Sequence, residues 1–266
     1  MSNPIPKTKL DEVADTIYRD PDELYLSEFQ AARLLRMVKE AEHIDLLRAS
    51  THRMMIYYQS NKYREAKEEI RNLIPFLSGN ASLYRKLIGM SLRIAAFDEL
   101  VTIIDSLDID MLKQMDEVGR QGVLIGLSLP TLVCGGTKDN IAQLELFKEH
   151  FTGIVEQRAN REATARIKDL QAILRRESLY PNKIKELFNT LSKLVSDRSV
   201  RILTIAVSVP EDEILIELYV LNSIEEVLTL DDALFQLAYD KGLLNELTAL
   251  SVSFLPTTLE TLANDA

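Results

Sequence analysis

Phe29-Gln30-Ala31-Ala32, Tyr63-Arg64-Glu65-Ala66 and Phe97-Asp98-Glu99-Leu100 follow one another at an interval of 34 residues. Each opens with an aromatic residue and carries a small or apolar one three places later. That spacing puts both side chains on one side of a helix. Recurrence at this period marks stacked helix–turn–helix pairs, none of which buries its apolar face alone. The stretch 29–110 therefore predicts a helical-repeat array, which is a scaffold for binding.

The middle member is the best formed. Its first helix offers Leu47, Met54, Met55 and Tyr58, and Ser60-Asn61 makes the turn. Its second helix offers Tyr63, Ala66, Ile70 and Leu73, at the spacings of three and four that build one apolar stripe. Gly79-Asn80 closes it with a left-handed cap signal. The next member repeats the scheme with Tyr84, Leu87, Ile88 and Ser91, then Phe97, Leu100, Ile104 and Leu107. The first member is expected to turn Phe29, Ala32, Leu35 and Val38 inward, behind a Ser27–Gln30 capping box.

Over roughly 29–110, about a third of the chain, this pattern resembles the tetratricopeptide repeat family. It departs from that family at Ser50, where the neighbouring unit has Tyr84, and at Met54 and Ile88, where a small residue is usual. No helix-ending proline falls at the family's place. The resemblance implies a face that holds a peptide or protein segment without catalysis. Tyr57, Tyr58, Tyr63, Tyr84 and Arg93 are the candidate partner contacts.

Around the array the pattern stays helical. Residues 8–20 carry Leu10, Val13 and Ile17 on one face and are stopped by Asp20-Pro21-Asp22. Residues 109–134 are first amphipathic (Met111, Met115, Val118), then apolar, with Gly122 and Gly126 on one face and a kink expected near Pro130. A loop follows from Gly135 to Asn140. From Asn140 to Ser178 a long helix has apolar ends but is polar all round from Glu156 to Glu162. It either projects through solvent there or breaks. After a turn at Leu179–Asn182, the residues Ile184, Leu187, Phe188, Leu191 and Leu194 return, which makes 137–198 a long basic helical hairpin.

Beyond Arg201 the apolar period changes from 3.6 to 2. Ile202, Leu203, Ile205 and Val207, then Ile214, Ile216, Leu218 and Val220, read as a hairpin turning at Pro210–Glu213. Thr229 with Asp232 is read as the cap of a helix carrying Leu234, Leu237 and Ala238. A third strand is expected at Leu250–Phe254. The fold class is mainly α with a small α+β unit around a three-stranded sheet. Its parts are a helical-repeat domain (1–136), the basic hairpin (137–198) and an acidic α+β domain (199–266).

Charge is distributed unevenly. Residues 158–201 hold eleven Lys or Arg against five Asp or Glu, whereas 202–266 hold Lys241 against twelve acidic residues. The formal net charge of −10 matters less than this spread, and such a switch in sign marks a boundary between structural units. Arg158, Arg161, Arg166, Lys168, Arg175 and Arg176 are the candidate anion or nucleic-acid contacts. The start is polar without an apolar signal core, and the apolar run Gly122–Gly136 is too short to span a bilayer. A cytoplasmic protein without membrane contact is expected.

Three histidines (His43, His52, His150) and the lone Cys134 do not make a Cys/His zinc set. Gly135-Gly136-Thr137-Lys138 lacks the order and the strand–helix context of a phosphate loop. No catalytic residue, metal ligand or cofactor is assigned. An interaction protein is the expected class, with a protein partner on the repeat surface and a second surface on the acidic unit. A sheet edge or the long helices also offer a route to homo-oligomers. The alternatives are a nucleic-acid-associated regulator using 158–201, and an enzyme with a carboxylate metal site among Asp212, Glu213, Glu217, Asp231 and Asp232.

Overall fold

The computed structural model describes residues 8–19, 25–116, 120, 123, 127–135, 141–150, 153–210 and 213–258. Its packing falls into two compact units, Met1–Leu77 and Ser78–Ala266. The boundary lies inside the stretch 29–110, between the second and third members of the repeat.

In the first unit, α1 (Lys9–Ile17) starts where Thr8 and Asp11 bond each other's backbone N–H, and it buries Leu10, Val13 and Ile17. The stop expected at Asp20-Pro21-Asp22 lies outside the described residues. α2 (Glu28–Ala41) opens on the Ser27–Gln30 capping box, as its sequence requires. Its buried face differs from the expected one, being made by Ala31, Leu34, Val38 and Ala41. Phe29 is 80% exposed and Ala32 is also outside. The buried face is the one set by α2 packing against both α1 and α3, and it includes the small Ala31 and Ala41.

α3 (Leu46–Gln59) and α4 (Tyr63–Leu73) form the tightest helical hairpin, reversing at Asn61 with φ 59°. Tyr58 and Tyr63 stack across the turn with ring centroids 6.1 Å apart. A polar clamp crosses the same pair. Arg53 Nε donates to Glu69 Oε1 at 2.9 Å and its Nη2 to Ser50 Oγ at 2.8 Å, while Nη1 lies 3.0 Å from Glu42 Oε1.

In the second unit, α5 (Ala81–Arg93) and α6 (Phe97–Asp105) pair, and α7 (Ile109–Gln114) packs on α5. α8 (Ser128–Val133) is buried at every position and touches α6 and both of the later helices α10 and α11. The helix expected to kink near Pro130 is described continuously only from Leu127 onward, since residues 124–126 lie outside the described residues. Pro130 sits in the opening turn of α8, where no earlier residue of the helix needs its N–H. Val118, Gly122 and Gly126 lie outside the described residues.

The long polar-waisted segment breaks, and it breaks at Gly153 rather than between Glu156 and Glu162. α9 (Ile141–His150) folds back on α10 (Ile154–Arg176), where buried Asn160 Nδ2 donates to Leu144 O at 2.8 Å. Phe151 lies outside the described residues. α11 (Pro181–Asp197) follows a turn through Ser178, and its Phe188 meets Phe97 of α6 edge to face at 5.1 Å.

The sheet then forms from β1 (Ile202–Ser208), β2 (Leu215–Val220) and β3 (Val252–Pro256), in the order β1-β2-β3. β1 and β2 are antiparallel, with Ala206 opposite Glu217, and β3 runs parallel to β2, with Leu218 beside Phe254. The alternation Ile214, Ile216, Leu218, Val220 is buried as the period-2 reading requires. A parallel neighbour needs a crossover. It is made by α12 (Ile224–Asp240) and α13 (Leu244–Leu250).

α12 begins five residues before the expected cap at Thr229. A Ser223–Glu226 capping box starts it, and Thr229 sits inside with its hydroxyl bonded to Glu225 O.

Tyr84 supplies a direct test of core polarity. Its side chain is fully buried, and its hydroxyl has no hydrogen-bond partner among the described residues. Burial alone raises its pKa well above the usual tyrosine range. Tyr84→Phe removes that unpaired group with little change of shape, so it is expected to raise unfolding stability by about 1 kcal/mol. Urea denaturation reads this directly, and a lowered midpoint would mean that the hydroxyl is satisfied in solution.

Candidate functional site

The five residues proposed as partner contacts do not share one setting. Tyr58, Tyr63 and Tyr84 are core residues with almost no exposed surface. Their aromatic repeat positions serve packing, so a segment laid on the outside does not reach them. Tyr57 and Arg93 are half-buried, the former in the first unit and the latter in the second.

The six basic candidates all belong to α10 and sort by side. Arg161, Lys168 and Arg175 are exposed and recur every seven residues. At 1.5 Å per residue they form a line with steps of about 10.5 Å. Arg158 is paired along the helix with Glu162 at 2.8 Å, and Arg176 with Glu177 at 3.1 Å. Arg166 stands apart because it is half-buried and lines a pocket.

That pocket has a volume of ≈ 370 Å³. Its apolar wall comes from α5, α6 and α8, with Ile88, Leu100 and Leu129 as examples, and its far side is β1. Ile205, Ala206 and Val207 all line it. Consecutive strand residues point to opposite faces. The pocket therefore meets β1, an outer strand of the sheet, at its edge.

The described carboxylates Glu213, Glu217, Asp231 and Asp232 form no group of three placed to hold a cation. Asp231 Oδ1 accepts the backbone N–H of Phe254 at 3.0 Å and so ties α12 to β3. Burial raises its pKa, and the Phe254 bond opposes that. Glu217 accepts from Tyr219 Oη at 3.3 Å on the sheet. Asp212 lies outside the described residues. Among the described residues, no group of three or more His, Cys, Asp or Glu is placed to hold a metal ion. No described helix is long and apolar enough to cross a membrane. Cys134 is half-buried, and burial raises its thiol pKa, which disfavours the reactive thiolate.

One surface went unread in the sequence. α12 carries two apolar faces. Val227, Leu230, Leu234 and Ala238 are buried. Ile224, Leu228, Phe235 and Tyr239 are 67%, 60%, 56% and 62% exposed. The exposed four are spaced four, seven and four residues apart, which confines them to an arc of about 60°. Glu225, Glu226, Asp232 and Asp240 are also exposed on this helix, which has no Lys or Arg between Ile224 and Asp240. The interval was present in the sequence. Starting the helix at Thr229 removed its first two members from view.

The chain matches no family model, no curated protein and no solved structure.

Proposed function

We propose that the chain is a non-enzymatic, cytoplasmic interaction protein that holds a basic amphipathic segment of a protein partner against the outer face of α12. The observation carrying this is the exposed stripe Ile224, Leu228, Phe235, Tyr239 on a helix whose other exposed charges are acidic. Contiguous exposed apolar surface with a polar rim is characteristic of protein-binding faces. A helix laid along such a stripe anchors through residues at the same three- and four-residue intervals. The acidic flanks select Lys and Arg on the partner and disfavour a second copy of α12, whose like charges would face them. In this reading the repeat helices of the first unit offer a further protein surface, with Phe29 as an exposed aromatic residue.

Fluorescence anisotropy with a labelled Leu/Lys amphipathic peptide tests this. Saturable binding to the native chain is expected, together with a loss of roughly tenfold or more for Leu228→Asp, the size of a hot-spot substitution. The variant adds negative charge, so adventitious attraction to an acidic protein would grow where stripe docking falls. Equal or tighter binding by Leu228→Asp would overturn the proposal, as would absence of binding to the native chain.

A second reading is favoured by the line Arg161, Lys168, Arg175. Nucleic-acid contact there predicts retention of a single-stranded oligonucleotide that weakens steeply with salt.

A further inference from the structure

Charged side chains seldom line apolar pockets without a counter-charge, because desolvating an unpaired charge is costly. Arg166 lines the pocket between α5, α6, α8, α10 and β1 while half-buried. Elsewhere on α10 the basic side chains are either paired, Arg158 with Glu162 and Arg176 with Glu177, or exposed to water, as Arg161, Lys168 and Arg175 are. Lys185 of α11 lies 3.5 Å from Asp98 of α6. Arg166 has no ion pair or hydrogen bond to a described residue.

The rest of the described wall is almost wholly aliphatic. Ile88, Leu92, Leu100, Ile104 and Leu129 come from three helices, and Ser128 is the other polar side chain. A volume of ≈ 370 Å³ is at the small end of the range for ligand sites, which is about 300–1,000 Å³.

We propose that this pocket binds a small aliphatic monocarboxylate, with its chain among the α5, α6 and α8 side chains and its carboxylate on the Arg166 guanidinium. Guanidinium geometry suits this head group, since its planar fork matches a carboxylate in two parallel hydrogen bonds. The aliphatic wall selects an apolar tail over a sugar-like body, whose hydroxyls would be left without partners. The pocket lies apart from the exposed stripe of α12, so the two proposals stand or fall separately.

Isothermal titration with decanoate, kept below its aggregation range, is the test, with 1-decanol as the uncharged comparator. The native chain is expected to bind one decanoate saturably and to bind decanol at least tenfold more weakly. Arg166→Gln should lower decanoate affinity about tenfold or more, the effect of losing a charged hydrogen-bond partner, and leave decanol unchanged. Ala206→Trp, placed on the strand side of the pocket, should reduce both while the circular dichroism spectrum is kept. The proposal is overturned by no saturable decanoate binding, by equal affinity for the two probes, or by undiminished decanoate binding in Arg166→Gln.

Discussion

Gly135→Ala is expected to destabilise the second unit by about 3 kcal/mol or more, from two costs that add. The first is conformational. Gly135 has φ 61°, and a residue with a Cβ loses roughly 1–2 kcal/mol in the left-handed region. The second is steric. A Cβ at this position would stand 2.4 Å from Pro181 Cα and 2.8 Å from Pro181 Cβ. Pro181 opens α11, so the obstacle is backbone anchored to a 17-residue helix and cannot swing aside. Overpacking of this kind typically costs a further 1–3 kcal/mol. Gly79 provides the control, since its φ of 68° is similar but nothing lies within 4 Å of an added Cβ. Urea unfolding of both alanine variants separates the terms. If Gly135→Ala loses no more than Gly79→Ala, the approach of α8 to α11 is looser than described.

That contact also shows what the sequence can and cannot convey. Gly135-Gly136 is legible as a loop from composition alone, because glycine tolerates positive φ. The reason Gly135 admits no side chain is Pro181, which is distant in sequence and unmarked by any local pattern. The same divide runs through the rest of the molecule. The capping box at Ser27, the alternation of β2 and the change of period at Arg201 are local signals, and each marks a real element. The inner face of α2 depends on how α1 lies across it, so Phe29 could be read inward although it is 80% exposed.

Candidate contacts suffered most from this divide. An aromatic residue at a repeat position has the same signature whether it faces a partner or the next helix, and Tyr58, Tyr63 and Tyr84 face inward. Arg166 stood out in the sequence only as one of several basic residues. Its apolar surroundings come from α5, α6, α8 and β1, all far from it along the chain.

Arg53→Ala is expected to cost the first unit about 3 kcal/mol, and most of that loss should come from what remains behind. Arg53 bonds Glu69 at 2.9 Å and Ser50 at 2.8 Å, and it lies 3.0 Å from Glu42. Glu69 is itself buried, and its Oε2 has no hydrogen-bond partner among the described residues. Truncating the arginine strands that carboxylate in a nearly closed site, and breaking a buried pair from one side costs about 3–5 kcal/mol. The lower end applies because the Arg53 side chain keeps some solvent contact. Removing both charges should be far milder. Arg53→Met with Glu69→Leu leaves no orphaned ion, and exchanges of this kind are often close to neutral. A double-mutant cycle by urea unfolding is then expected to return a coupling of about 2–3 kcal/mol. A coupling near zero would mean that α3 and α4 are held by the Tyr58–Tyr63 stack and the aliphatic stripe alone, with the clamp exposed to water.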